Sequence, residues 1–263
     1  MNTLAQLIAV KHHDDYAGHC QQLAQQLQLP VVDSAIDSEQ GTPYLLVYDA
    51  LGLAVQQTGP KAAGPVRIDF SAGTSEHRRK QGGGELIVKA AGGNKQDKPT
   101  VLDVTAGLGR DSFVLASRGY PVTMCERSPL IAALLEDGLQ RARDFGDAEL
   151  QQVISHMRLL NINAVDYITS LEPEAVDVVV IDPMFPPSKK SALVKKDMQA
   201  FHQLVGPDDD SDALLAAALS VAKHRVIVKR PKKAQCLASK QPNFMVEGKA
   251  IRFDIYSLKA FKK

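Results

Sequence analysis

The sequence predicts an α/β fold: a mostly parallel sheet with helices on both faces, preceded by a small α/β unit. Three observations carry this. From Thr100 onward, short β-branched runs alternate with helical stretches, the pattern of a parallel sheet built through helical crossovers. One of these runs, VDVVVIDP at 176–183, is continuously apolar from Val178 to Ile181, up to its Asp-Pro end, as a central strand buried on both faces must be. The closing segment MVEGKAIRFDIYSL alternates around Gly248 and reads as a terminal antiparallel hairpin.

The individual elements follow from local chemistry. LIAV is a short apolar strand, and YAGHCQQLAQQLQL (16–29) has helical spacing, stopped by Pro30. VVD is a further strand. YLLVYDALGLAVQQ reads as a hairpin turning over Asp49–Gly52, and VRIDF alternates as a strand. Residues 71–98 contain HRRK, GGG and GGNKQDK and form a basic, glycine-rich connector. Beyond it come the strand VLDVTA, the turn GLGR, the helix DSFVLASRG closed by Gly119, and the strand PVTMCE. The helix PLIAALLEDGLQRARDF opens on Pro129. MRLLNI, VDVVVI and HRVIVKRP are the later strands, with a helix around 212–223. The expected organisation is a small N-terminal α/β subdomain at 1–70, the connector at 71–98, and the main domain at 99–263.

Composition narrows the function class. With 263 residues, 44% hydrophobic and 23% charged, the chain suits one large globular domain or one domain with an appendage. A formal net charge of +1 neither implies nor excludes nucleic acid, because a near-neutral protein can carry a local basic surface. No apolar run is long enough to cross a membrane, and MNTLAQLIAVKHHDD lacks a secretory signal's basic start and cleavage site, so a cytoplasmic location is expected. The three cysteines, Cys20, Cys125 and Cys236, are isolated and read as reduced thiols. His12 and His13 are adjacent and point apart on any regular element, so no metal site is expected.

Two segments carry the chemistry. The first is DVTAGLGR, Asp103–Arg110, between a strand and a helix. Gly107 and Gly109 let the backbone approach a ligand, and the following helix presents free N–H groups. A dinucleotide site requires a third glycine, and Ser112 stands in its place. S-adenosylmethionine has no phosphate and needs carboxylates instead. Asp103 can receive its ammonium group, directly or through water. Glu126 ends the next strand, where a carboxylate grips ribose hydroxyls, although a solvated strand-end glutamate has the same position. Arg127 and the pair Arg110-Asp111 border the same crevice; Arg110 can equally be a surface residue and Asp111 a favourable first-turn carboxylate. Asn163 and Ala164 follow the third strand, on the adenine side. Asn163 or Asp166 can bond the adenine amine, or Asp166 can simply cap the next turn.

The second segment is Asp182-Pro183-Met184-Phe185, at the carboxyl end of VDVVVI. Methyl transfer to an exocyclic amine needs the nitrogen lone pair aimed more than it needs acid–base power. Asp182 can accept an amine N–H, Pro183 fixes the turn, and Phe185 can stack on a base. The tetrapeptide resembles the D/N-P-P-Y/F motif of amino-methyltransferases, with Met184 in place of the second proline. A base amine must be unpaired or turned out to react, and basic residues should hold the neighbouring phosphates. Candidates are Arg78, Arg79 and Lys80, Lys189 and Lys190, Lys195 and Lys196, and Lys229 and Arg230. Each cluster taken singly is also what a solvated face looks like.

The runs HRRKQGGG (77–84), DVTAGLGRDSFVLASRG (103–119), ERSPLIAALLEDGL (126–139), IDPMFPPSKKSALVKK (181–196), VKRP (228–231) and IRFDIY (251–256) closely resemble the ribosomal small subunit methyltransferase J family. The resemblance covers roughly residues 70–256; the first sixty residues are only loosely similar. It implies a class I SAM-dependent methyltransferase fold, Rossmann-like, with a mostly parallel seven-stranded sheet. It also implies N2-methylation of a guanine in 16S rRNA, so the expected partner is that rRNA or the small ribosomal subunit. Its cofactor contacts carry over to Arg110-Asp111, Glu126-Arg127 and Asp182. A further pair falls at Asn163-Ala164, where family members often have small hydroxyl residues. Competing readings are an NAD-dependent dehydrogenase, opposed by Ser112, a non-catalytic RNA-binding assembly factor, and methylation of a protein or DNA amine.

Overall fold

The computed structural model describes residues 8–33, 43–59, 62, 64–71, 86–93, 98–183 and 211–261. The chain falls into two compact units. The first runs to Ile68 and includes Ala133–Arg141; the second holds Asp69–Ala132, Ala142–Phe185 and Asp208–Lys263.

The first unit contains β1 (Ile8–Lys11), α1 (Ala17–Leu27), β2 (Val31–Val32), β3 (Tyr44–Asp49) and β4 (Gly52–Gln57). They form a four-stranded sheet in the order β2-β1-β3-β4, with β1 parallel to β2 and β3 and the β3–β4 hairpin antiparallel. Helix α1 ends before Pro30: Gln28 adopts a left-handed φ of 54°, and its N–H bonds back to Ala24 and Gln25 carbonyls. The hairpin turns because the Asp49 carboxylate accepts the Leu51 N–H at 2.8 Å and Gly52 sits at φ 97°. VRIDF does not form the expected strand; only Val66 makes a bridge, to Val55. The reason lies in its side chains: Arg67 is drawn back onto the hairpin, donating to Asp49 at 2.7 Å and to the Gly52 carbonyl. Helical residues of this unit are fixed the same way. Asp137 accepts the Leu53 N–H at 3.1 Å and the Arg141 guanidinium at 2.8 Å. Gly138 allows the close approach of Ile68, whose carbonyl would lie 2.9 Å from any Cβ placed there.

The second unit contains α2 (Leu86–Ala91), β5 (Val101–Asp103), α3 (Arg110–Ala116), β6 (Val122–Cys125), α4 (Pro129–Phe145), α5 (Ala148–Ser155), β7 (Met157–Leu160), α6 (Ala164–Thr169), β8 (Val176–Ile181), α7 (Ser211–Val221), β9 (Ala222–Pro231), β10 (Phe244–Glu247) and β11 (Ile251–Ser257); the middle of α4 belongs to the first unit. Seven strands form one sheet in the order β10-β11-β9-β8-β5-β6-β7. Its strands are parallel except β11, which runs antiparallel to both β9 and β10. This is the expected class I methyltransferase sheet with its terminal hairpin. Val178, Val179, Val180 and Ile181 are essentially inaccessible, which is why their run is apolar without alternation. The helix starts are encoded locally. Ser128 caps α4, with Pro129 in the first turn, Asp147 caps α5 and Asn163 caps α6.

Helices α2 and α5 are additions to the sequence reading. Helix α2 lies within the residues read as connector and buries Ile87, Ala90 and Ala91. The connection is polar as well: Arg225 donates to the Ala90 carbonyl at 2.8 Å, and the Tyr120 hydroxyl to that of Gly92 at 2.6 Å. Among the described residues no helix is long and apolar enough to cross a membrane.

Candidate functional site

The strand order reverses at β5. The chain steps outward from β5 to β6 and β7, then returns to the other side of β5 with β8. Such a reversal opens a crevice at the carboxyl ends of the strands. Register fixes what borders it. Asp103 ends β5 opposite Val180 of β8, and Ile181 pairs with Val228 of β9. Asp182 and Lys229 are the next residues along, side by side at the sheet edge.

The glycine turn is held from several directions. The Val104 N–H bonds the Val180 carbonyl at 3.0 Å, and the Ala106 N–H bonds that of Cys125 at 3.1 Å. Gly107 and Gly109 have φ of 52° and 68°, in the left-handed region. Among the described residues, a Cβ at Gly107 would meet only the Thr105 carbonyl, at 3.9 Å, which leaves room over the turn for a ligand. Gly109 precedes α3 and accepts its first turn through the Phe113 N–H at 2.8 Å.

Asp103 is buried at 4% exposure. Its carboxylate accepts the Ser112 hydroxyl at 2.5 Å and the Thr105 N–H at 3.1 Å. Burial nevertheless pushes its pKa up to about 7, against those two hydrogen bonds; the charges of Asp111 and Asp182 add to the rise. Glu126 is also buried and spans the crevice. One oxygen accepts the Gly107 N–H at 2.9 Å and the other the Ser128 N–H at 2.8 Å. Its backbone is anchored by Asn161, whose side chain donates to the Glu126 carbonyl at 2.8 Å. The Glu126 carboxylate thus organises the glycine turn itself.

On the far side of β5, the Thr105 hydroxyl accepts the Asp182 N–H at 2.6 Å. Lys229 stands between Asp111, in the first turn of α3, and Asp182, with 2.7 Å from its Nζ to an oxygen of each. Burial acts to lower its pKa, but the carboxylates of Asp182 and Asp111 outweigh it and hold the ammonium well above the usual lysine value. Pro183 is buried.

The structure therefore gathers Asp103, Gly107, Gly109, Asp111, Glu126 and Asp182 at one edge. Arg110 and Arg127 lie at that edge with exposed side chains. Asn163 caps α6, its Oδ1 accepting the Val165 N–H at 2.9 Å, and Ala164 is buried in the first turn. The helix-capping role considered for Asp166 thus belongs to Asn163. One expectation needs correcting. Lys229 and Arg230 do not form a phosphate-facing surface: Lys229 is committed to two carboxylates, and Arg230 is 8% exposed and donates to the Gln235 carbonyl. Phe185 and the clusters Arg78, Arg79, Lys80 and Lys189, Lys190, Lys195, Lys196 lie outside the described residues. Two contributors were not singled out from sequence, Thr105 and Asn161; Ser112 was read only as the missing third glycine and Lys229 only as a phosphate-binding candidate. Ser112 carried a usable signal, a hydroxyl one turn into the helix after the glycine turn. Lys229 carried none near Asp182, because 47 residues separate them.

Comparison with known proteins decides the family. Residues 22–258 match the family described as "Putative SAM-dependent methyltransferase". The chain is 50% identical to the ribosomal RNA small subunit methyltransferase J of Pseudomonas paraeruginosa, over 95% of its length and 94% of that protein. It is 49% identical to the protein of the same name from Cellvibrio japonicus, over 93% and 95% of the two chains. The chain belongs to the ribosomal RNA small subunit methyltransferase J family. A crystal structure of a SAM-dependent methyltransferase from Neisseria gonorrhoeae, 36% identical, superposes with a TM-score of 0.70 over 95% of both chains. Methyltransferases of this class use S-adenosylmethionine, and the residues of the crevice fit it. A ligand with a sulfonium and an ammonium meets a carboxylate-rich edge and an open glycine turn, where a dinucleotide's pyrophosphate would meet Asp103 and Glu126 as like charges.

Proposed function

We propose that this chain methylates the exocyclic N2 amine of a guanine in small-subunit, 16S rRNA, in the cytoplasm. The observation that carries the reading is the position of Asp182. It leaves the sheet at the reversal point, tied through its own N–H to Thr105 of the cofactor turn, so one short segment sets the acceptor group relative to the cofactor crevice. The names of the 50% identical relatives support the rRNA substrate, and the family resemblance supports guanine N2.

In this reading Asp103, Gly107, Gly109, Asp111 and Glu126 hold the cofactor, with Arg110, Arg127, Asn163 and Ala164 around its rim. Glu126 takes the ribose hydroxyls. The cofactor supplies a methyl group on a sulfonium centre. Asp182 accepts an N–H of the amine and aims the nitrogen lone pair, Pro183 fixes the turn, and Phe185 stacks on the base. The amine proton leaves to water after transfer. Arg78, Arg79 and Lys80, with Lys189, Lys190, Lys195 and Lys196, bind phosphates around the target nucleotide. The domain division in this reading is an N-terminal α/β subdomain at 1–70, a basic, glycine-rich connector at 71–98 and the methyltransferase domain at 99–263.

The test is mass spectrometry of nucleosides from 16S rRNA or small subunits incubated with enzyme and cofactor. New N2-methylguanosine is expected, and its absence would count against the reading. Asp182→Ala should lose transfer by more than about a hundredfold while still binding S-adenosylhomocysteine. Full activity in that variant would sink the role given to Asp182.

A further inference from the structure

Among the described residues, Lys229 is the one basic side chain at the crevice that sits between two of its carboxylates, and neither cofactor binding nor the acceptor role of Asp182 accounts for it. Its Nζ is 2.7 Å from Asp111 Oδ2 and 2.7 Å from Asp182 Oδ2. Its side chain is 23% exposed, that of Asp111 18% and that of Asp182 39%. The three residues come from α3, the end of β8 and β9, so the ammonium joins the cofactor side of the crevice to the acceptor side. An ordinary surface pair has one partner and contributes little. This lysine has two partners, both short, in a half-buried place where charges are screened less.

We propose that Lys229 is a positioning residue for methyl transfer, its ammonium fixing the plane of the Asp182 carboxylate and keeping that carboxylate ionised as the acceptor for the substrate amine. The inference rests on the role given to Asp182 above. Asp182 and Asp111 both reach one point in space. Without a cation there, two like charges face each other, and each carboxylate takes up a proton more readily. A protonated carboxyl presents an O–H where the amine needs an acceptor, and an unanchored one rotates. The charged groups around Asp182 among the described residues include Lys229 from β9, Asp111 from α3 and Asp103 at the end of β5. Asp103 and Asp111 push Asp182 toward protonation and Lys229 opposes them. Lys229 touches no reacting atom; it acts through Asp182.

The experiment compares wild type with Lys229→Met, which keeps length without charge, and Lys229→Arg, which keeps the charge. Lys229→Gln serves if the apolar side chain prevents folding. The first readout uses cofactor-free protein: the carboxyl-carbon NMR titration of Asp182, assigned through Asp182→Asn. In Lys229→Met the midpoint should rise by at least about one pH unit, a tenfold change in the ionisation equilibrium. In Lys229→Arg it should return toward wild type. The second readout is kcat on small subunits at saturating cofactor. For Lys229→Met it should fall at least about tenfold at neutral pH and recover as pH is raised, its acidic limb displaced by the same amount as the NMR midpoint. A merely structural lysine would change stability and leave both midpoints in place. Unchanged midpoints, or a displaced NMR midpoint with wild-type kcat, overturn the inference while wild-type methylation of rRNA keeps the proposed function standing. A wild-type enzyme that methylates no rRNA overturns the proposed function and this inference with it.

Discussion

Asparagine at position 103 would remove a charge from the most deeply buried carboxylate at the crevice while keeping its geometry. The amide oxygen can still accept the Thr105 N–H, and the amide NH2 can donate to the Ser112 hydroxyl. Asp103 has a pKa of about 7 in the folded protein, against 3.8 for the ordinary side chain, because burial disfavours its charge. The folded state therefore holds a proton that the unfolded chain has already released. Stability falls as pH rises between those two values and levels off above the folded one. At about 1.4 kcal/mol per unit, the loss is on the order of 4 kcal/mol, developed between roughly pH 4 and pH 7. Asp103→Asn lacks this term. Urea unfolding of cofactor-free wild type and variant should give a stability difference that grows in favour of the variant across that window. A difference independent of pH would refute the account of Asp103 as a carboxylate strained by burial. The same linkage predicts that a cationic ligand, which favours the ionised form, releases a proton as it binds near neutrality. S-adenosylmethionine affinity in wild type should rise with pH up to about 7, and in Asp103→Asn it should be flatter.

Three further substitutions probe the same framework. Ser112→Ala removes the hydroxyl that opposes the raised Asp103 pKa, so it should destabilise the protein by about 1–3 kcal/mol and more at alkaline pH; urea midpoints at pH 5 and pH 8 would check this. Gly107→Ala forces a side chain into a left-handed conformation without a steric clash, so it should cost about 1–2 kcal/mol of stability and weaken S-adenosylhomocysteine binding in calorimetry. Gly138→Ala places a Cβ 2.9 Å from the Ile68 carbonyl and 2.8 Å from its Cγ2, so it should destabilise by about 1–3 kcal/mol, read as a lowered melting temperature. An unchanged melting temperature would mean that the close packing of Ile68 on this helix is misread.

Much of the architecture is legible in the chain because its signals are local. Pro129 follows the capping Ser128, the valines of β8 need both faces covered, and Gly248 breaks the closing alternation at the hairpin. VRIDF misleads for an equally local reason: its alternation fits a strand, but Arg67 finds carboxylate and carbonyl acceptors on the neighbouring hairpin. Helix α5 is short and needs its Asp147 cap and the burial of Leu150, Val153 and Ile154 to persist, which a scan for long periodic runs passes over.

By itself, then, the sequence determined the order of strands and helices, the glycine turn with its carboxylates at strand ends, and the resemblance to the family. These depend on backbone propensity, side-chain period and residue spacing, all of which are written along the chain. Only the tertiary structure decided which distant residues share the crevice. Parallel register brings Lys229 to Asp182 across 47 positions and to Asp111 across 118. The same fold turns two basic residues that look like a phosphate-binding pair into an internal counterion and a buried backbone ligand. A charge run shows that a cation is present; what it faces is set by strand pairing and burial, which no short stretch of sequence contains.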